Sequence, residues 1–320
     1  MTETILEARR LKVHYPTKRG PIHAVDGVDF DVRVGETLGI VGETGCGKST
    51  LGKSILGLLP PGTRAEGSLK FRDRELLTLH PAEFRKLRGE EMGLIFQDPM
   101  TRLDPLMTIR NHFLETIRVH RPNLSKGEAI ELVVEALRSM GIPRSRLNHY
   151  PHEFSGGMRQ RIMIAMAVVL NPKLLVADEP TTALDVIVEA QILEILRDLK
   201  RAYGMSLILI THNLGIVAEV CDRAIVMYAG KFAELGSVED VFKRPIHPYT
   251  QGLLASTIHL ETNDLRSIDG LPPSLLSPPS GCRFHPRCIY AKEICPIEDP
   301  AMVEYRPGHF AACHFGRDFI

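Results

Sequence analysis

Gly42-Glu43-Thr44-Gly45-Cys46-Gly47-Lys48-Ser49-Thr50 follows the apolar run at 37–41 and precedes a helical stretch at 49–59, so strand, Gly-rich loop and helix stand in direct succession. The string matches G-x-x-x-x-G-K-S in the context that a phosphate-binding loop demands. Its glycines let backbone N–H groups surround phosphate oxygens, and the following helix aims its positive end at the anion. Lys48 can reach the terminal phosphates and Ser49 can ligate Mg²⁺. Residues Gly42, Glu43, Thr44, Gly45, Cys46, Gly47, Lys48, Ser49 and Thr50 form the candidate nucleotide-binding set. The bland alternative for the string is a Gly-rich turn.

Outward from the loop, the runs at 5–13 and 28–34 are apolar and β-rich. Between 99 and 151 the pattern is helical, and Ser125 with Glu128 forms a capping box that opens a helix at 129–140. Further on, the runs 174–177 and 206–210 flank a helical stretch at 186–202, the arrangement of buried parallel strands joined by a crossover helix. The first of these runs ends in Asp178-Glu179. Two carboxylates at the carboxyl edge of such a sheet suit Mg²⁺ held through water by Asp178 and a nucleophilic water polarised by Glu179. Taken alone, the pair reads equally well as a solvated strand end.

An α/β fold with a helical insertion follows. The core is expected over 1–98 and 161–258 and the helical subdomain over 99–160. Residues 259–320 carry a linker, LPPSLLSPPSG, whose prolines favour extended chain, and then a small cysteine-rich module.

The 39 basic residues balance 39 acidic ones, which gives no overall field toward nucleic acid or anionic lipid. No run approaches the roughly 20 apolar residues of a spanning helix, and the N-terminus lacks a leader pattern, so a cytoplasmic chain is expected. In that compartment six cysteines do not imply disulfides.

Phe154-Ser155-Gly156-Gly157-Met158-Arg159-Gln160 resembles the signature loop of ABC ATPases. In the expected order, Gln97 in Ile-Phe-Gln-Asp-Pro resembles the Q-loop, Ala183-Leu184-Asp185 the D-loop, and His212 in Ile-Thr-His-Asn the switch histidine. Tyr15 resembles the aromatic that stacks on adenine. The resemblance implies a P-loop NTPase of ABC type, with a RecA-like core and antiparallel β and helical subdomains. It assigns catalysis to Glu179, His212 and Gln97, Mg²⁺ to Ser49, Gln97 and Asp178, and nucleotide contacts to Tyr15, Ser155, Gly156, Gly157 and Asp185. Two cassettes pack head to tail in this family, so the signature loop would serve the ATP of a second ATPase subunit. Met158 stands where the family has Gln, which removes one side-chain contact and leaves the backbone donors.

Cys282, Cys288, Cys295 and Cys313 follow a C-x5-C-x6-C-x17-C spacing, and Pro296 follows Cys295 as in some iron–sulfur runs. No short C-x(2–4)-C zinc knuckle is present, although His285, His309 and His314 keep a mixed zinc site open. Reduced structural thiols are the third alternative. With His247-Pro248-Tyr249-Thr250 and the linker Gly270-Leu-Pro-Pro-Ser, this tail resembles the C-terminal extension of dipeptide and oligopeptide importer ATPases. Some members of that branch bind a four-iron, four-sulfur cluster there. The resemblance covers nearly the whole chain and looks most like the first of two related ATPases in such importers. It implies ATP, Mg²⁺, two membrane permease subunits, an external substrate-binding protein and a place on the cytoplasmic face of the membrane. Nickel and oligosaccharide are alternative cargoes. A soluble ABC ATPase acting on ribosomes or nucleic acid is opposed by the single cassette and neutral charge. Cys46 reads as a space-filler or, beside a helix N-terminus, as a reactive thiol, and Cys221 as a small buried hydrophobe.

Overall fold

The computed structural model describes residues 3–96, 102–182, 184–256 and 268–320, which form two units, Met1–Thr78 with Leu209–Ile320 and Leu79–Ile208. In the first unit, β1 (Thr4–Thr17) and β2 (Gly20–Arg33) pair antiparallel. A bulge between Ala8 and Leu11 places Arg10 at φ 46°. All five residues of β3 (Thr37–Val41) are buried, the continuous apolar run of a central parallel strand. The phosphate loop leads from it into α1 (Lys48–Ile55), which stops short of residue 59 because Gly57 turns at φ 59° and two prolines follow. Next, β4 (Arg64–Phe71) and β5 (Arg74–Glu75) complete a four-stranded antiparallel sheet in the order β2-β1-β4-β5.

The second unit opens with α2 (Pro81–Glu90), capped by His80 and Glu83, followed by β6 (Met92–Ile95). Its helical part contains α3 (Ile109–His120) and α4 (Lys126–Ser139). The Ser125–Glu128 capping box forms, and the helix begins directly after Ser125, earlier than 129. Then come α5 (Gly156–Val168), β7 (Leu174–Asp178) and α6 (Val186–Tyr203), the last stopped by Gly204 in the left-handed region. Strand β7 runs parallel to β6. The unit boundary falls inside the next strand, β8 (Ser206–Ile210).

Back in the first unit are α7 (Leu214–Val220), β9 (Arg223–Tyr228), β10 (Lys231–Ser237), α8 (Val238–Lys243) and α9 (Pro248–Ala255). Strand β9 pairs parallel with β3 and antiparallel with β10. The C-terminal hairpin, β11 (Val303–Arg306) and β12 (His309–Ala311), adds to β10 through β12. Tyr249, Tyr228 and Phe284 anchor one core there, with Cys221, Cys282 and Cys288 packed against it.

Candidate nucleotide site and C-terminal module

Strand β3 ends at the loop, and two loop glycines meet requirements that no other residue satisfies. Gly42 sits at φ 152° where a Cβ would run into the Met227 carbonyl, and Gly47 at φ 113° where it would run into the Ala24 carbonyl. The Lys48 ammonium is buried and folded back onto the loop, donating to Gly42 O at 2.7 Å and Glu43 O at 3.0 Å. These carbonyls stand in for the phosphate oxygens it would meet. Gly230 N–H donates to Cys46 O at 2.8 Å and fixes the loop from β10's side. Burial pushes the Cys46 thiol up despite Lys48 nearby, which favours the space-filling reading of Cys46 over the reactive one. Tyr15, half-buried on β1, donates its hydroxyl to Thr50 Oγ1 at 3.1 Å, which places it at the first turn of α1. His212 is exposed just before α7, which Asn213 caps.

In the second unit, Asp178 ends β7 and Glu179 follows at φ 49°, a left-handed conformation that costs a non-glycine residue about 1–2 kcal/mol. Thr182 donates its hydroxyl to Glu179 Oε2 at 2.6 Å. Ser155 caps α5, accepting from Met158 N at 3.4 Å. A Cβ at Gly157 would strike Val188 on α6, whereas Gly156 faces open space. Buried Gln160 donates to Pro180 O at 2.6 Å and thereby ties the signature helix to the turn behind Glu179. Asp185 caps α6, accepting from Val188 N at 2.9 Å. The next two residues, Val186 and Ile187, are 81% and 72% exposed. Gln97 and Ala183 lie outside the described residues.

Cys282, Cys288, Cys295 and Cys313 line one cavity with His285 and His314. Burial pushes the Cys282 thiol up to about 11 and raises those of Cys288 and Cys313, each with a further push from neighbouring cysteines. His309 stands elsewhere, on Glu234 at 2.7 Å with both side chains fully buried. Sequence reading missed several residues that structure the loop: Tyr249, whose hydroxyl accepts from Glu43 N at 3.0 Å, and Arg287, which grips the Glu43 carboxylate. The only local signal was the motif His247-Pro248-Tyr249-Thr250.

Residues 25–182 match the family described as ABC transporter. A dimeric ATP-binding cassette in a post-hydrolysis state, bound to ADP and Pi, superposes with TM-score 0.66 at 27% identity, covering 73% of this chain and 98% of that one. The cbiO1 protein of Clostridium perfringens, part of the ABC transporter complex cbiONQ, gives 0.65 at 29%, covering 75% and 91%. Fold and phosphate loop define a P-loop ATPase of the ATP-binding cassette class. Residues 233–295 match the C-terminal region of oligopeptide/dipeptide transporters. The oligopeptide transport ATP-binding protein OppD of Escherichia coli is 48% identical, over 97% of this chain and 93% of its own length. The dipeptide transport ATP-binding protein DppD of Bacillus subtilis is 47% identical, over 97% and 94%. The chain belongs to this family of oligopeptide and dipeptide transporter ATPases.

Proposed function

We propose that the chain hydrolyses ATP to power import of dipeptides or oligopeptides through an ABC transporter. One observation carries this reading: a cassette match and a peptide-transporter C-terminal match occur in one chain that aligns over 97% of its length with proteins named as peptide transport ATP-binding proteins. The second of these matches favours peptide over nickel or oligosaccharide as cargo. In the reading, the loop from Gly42 to Thr50 holds the phosphates, Tyr15 the adenine, and Ser49, Gln97 and Asp178 the Mg²⁺. Glu179 polarises the attacking water, with His212 and Gln97 sensing the γ-phosphate. Lys48 exchanges its two loop carbonyls for phosphate oxygens when ATP arrives.

Ser155, Gly156, Gly157 and Asp185 would meet a second cassette and its nucleotide. The open space beside Gly156, and exposed Val186 and Ile187 beside Asp185, leave these positions accessible to such a partner. Among the described residues no helix is long and apolar enough to cross a membrane, which fits attachment through two permease subunits, with an external binding protein delivering cargo.

The four cysteines would hold a metal centre, and a four-iron, four-sulfur cluster suits them best. Four thiols gathered on one cavity, Pro296 directly after Cys295 and the lack of a short C-x(2–4)-C knuckle support that reading, with zinc as the alternative. Such a centre would supply folding energy to a segment with little apolar core of its own.

The test is Glu179→Gln in the assembled transporter. It is expected to bind ATP normally and to hydrolyse it about 10²–10⁴-fold more slowly. Turnover at the wild-type rate would remove Glu179 from the chemistry.

A further inference from the structure

Two residues from outside the phosphate loop hold Glu43. Tyr249 accepts its N–H, and Arg287 grips its carboxylate with a fork, Nη1 to Oε2 at 2.7 Å and Nη2 to Oε1 at 3.0 Å. The Arg287 side chain is 5% exposed. Its remaining donors are also used: Nε on Asp269 O at 2.9 Å, Nη2 on Ile268 O at 3.3 Å, and Nη1 on the Tyr228 hydroxyl at 3.3 Å. The fork spans 244 residues of sequence, from the turn just before Cys288 to the second residue of the loop.

We propose that Arg287 is a positioning residue for ATP, acting through Glu43 on the first limb of the phosphate loop. This rests on the reading of residues 42–50 as the nucleotide site. Two physical effects combine. Glu43 is the one carboxylate in a loop built to receive an anion, and unneutralised it would repel the phosphates. A bidentate guanidinium also fixes the plane of the carboxylate, which a lysine ammonium does not. The limb so fixed carries the Gly42 and Glu43 carbonyls on which Lys48 rests before ATP arrives. Arg287 therefore sets both the charge and the shape of the loop without touching nucleotide.

The test uses the full chain assembled with its membrane subunits and second ATPase, and reads ATP KM, kcat and binding of a fluorescent ATP analogue. Arg287→Ala is expected to raise KM and the analogue's Kd about tenfold, with kcat changed less than about twofold. Arg287→Lys, which keeps the charge and loses the fork, should raise KM about threefold. Removing the stranded carboxylate as well, in Arg287→Ala/Glu43→Ala, should lower KM again relative to Arg287→Ala alone. A residue that merely anchors the C-terminal module would show no such recovery, and its absence overturns the proposal. So does an unchanged KM in Arg287→Lys, a variant whose long cationic side chain guards against the unfolding of the turn that truncation in Arg287→Ala risks. Lys48→Ala separates the two readings. If it leaves analogue binding intact, the nucleotide-site assignment fails, whereas lost binding there with unchanged Arg287 variants refutes the positioning role alone.

Discussion

At the residue scale, Glu179 is held in a strained conformation by its surroundings, and strain persists only where neighbours over-determine it. The Thr182 hydroxyl is one such neighbour. Thr182→Val is therefore expected to lower kcat about tenfold while leaving ATP KM near wild type, as steady-state ATPase assays would read. His247 gives a pH signature. Burial lowers its pKa from 6.5 to about 4, and its ring accepts from Tyr249 N at 3.0 Å in the neutral state. The unfolded chain binds that proton more tightly than the fold does. Stability is thus full above pH 6.5 and is lost as pH falls toward 4, by up to about 3 kcal/mol. Urea unfolding against pH should show this acid limb, and His247→Asn should flatten it.

At the element scale, Glu234 on β10 organises three segments. Its carboxylate accepts from Ile246 N at 2.9 Å, His247 N at 2.8 Å and His309 Nε2 at 2.7 Å. Glu234→Ala would strand all three donors in a dry site, and a loss of about 3–5 kcal/mol is expected in denaturant unfolding. Nothing in the sequence announces this knot, because its members come from β10, the start of α9 and β12. What was legible was local. The loop, the acids ending β7 and the cap at Ser125 each show within a few residues, since cap and strand-end chemistry acts at short range. Strands β3, β7 and β8 were readable as buried apolar runs. Strand β2 reaches back to Gly20, well before residue 28, because its first half is only partly buried and lacks a clean apolar pattern. The bonds of Arg287 and Tyr249 to Glu43 were illegible for the opposite reason: no spacing rule links residues joined over two hundred positions.

At the scale of the whole molecule, the chain purified without oxygen is expected to contain about four irons and four acid-labile sulfides, and Cys288→Ser to lose them. One zinc per chain would make the cysteine module a zinc site instead. The unit holding the phosphate loop is closed by chain from both ends, Met1–Thr78 and Leu209–Ile320. The loop's backbone leans on Met227, Gly230 and Tyr249, all of which are synthesised late. At about 5–20 residues per second, a ribosome takes roughly 9–36 s to travel the ~180 residues from Cys46 to Gly230. Throughout that interval the nascent cassette has its phosphate-binding sequence but lacks the walls that shape it. The loop's shape is therefore a product of late synthesis, set by residues made well after the loop itself.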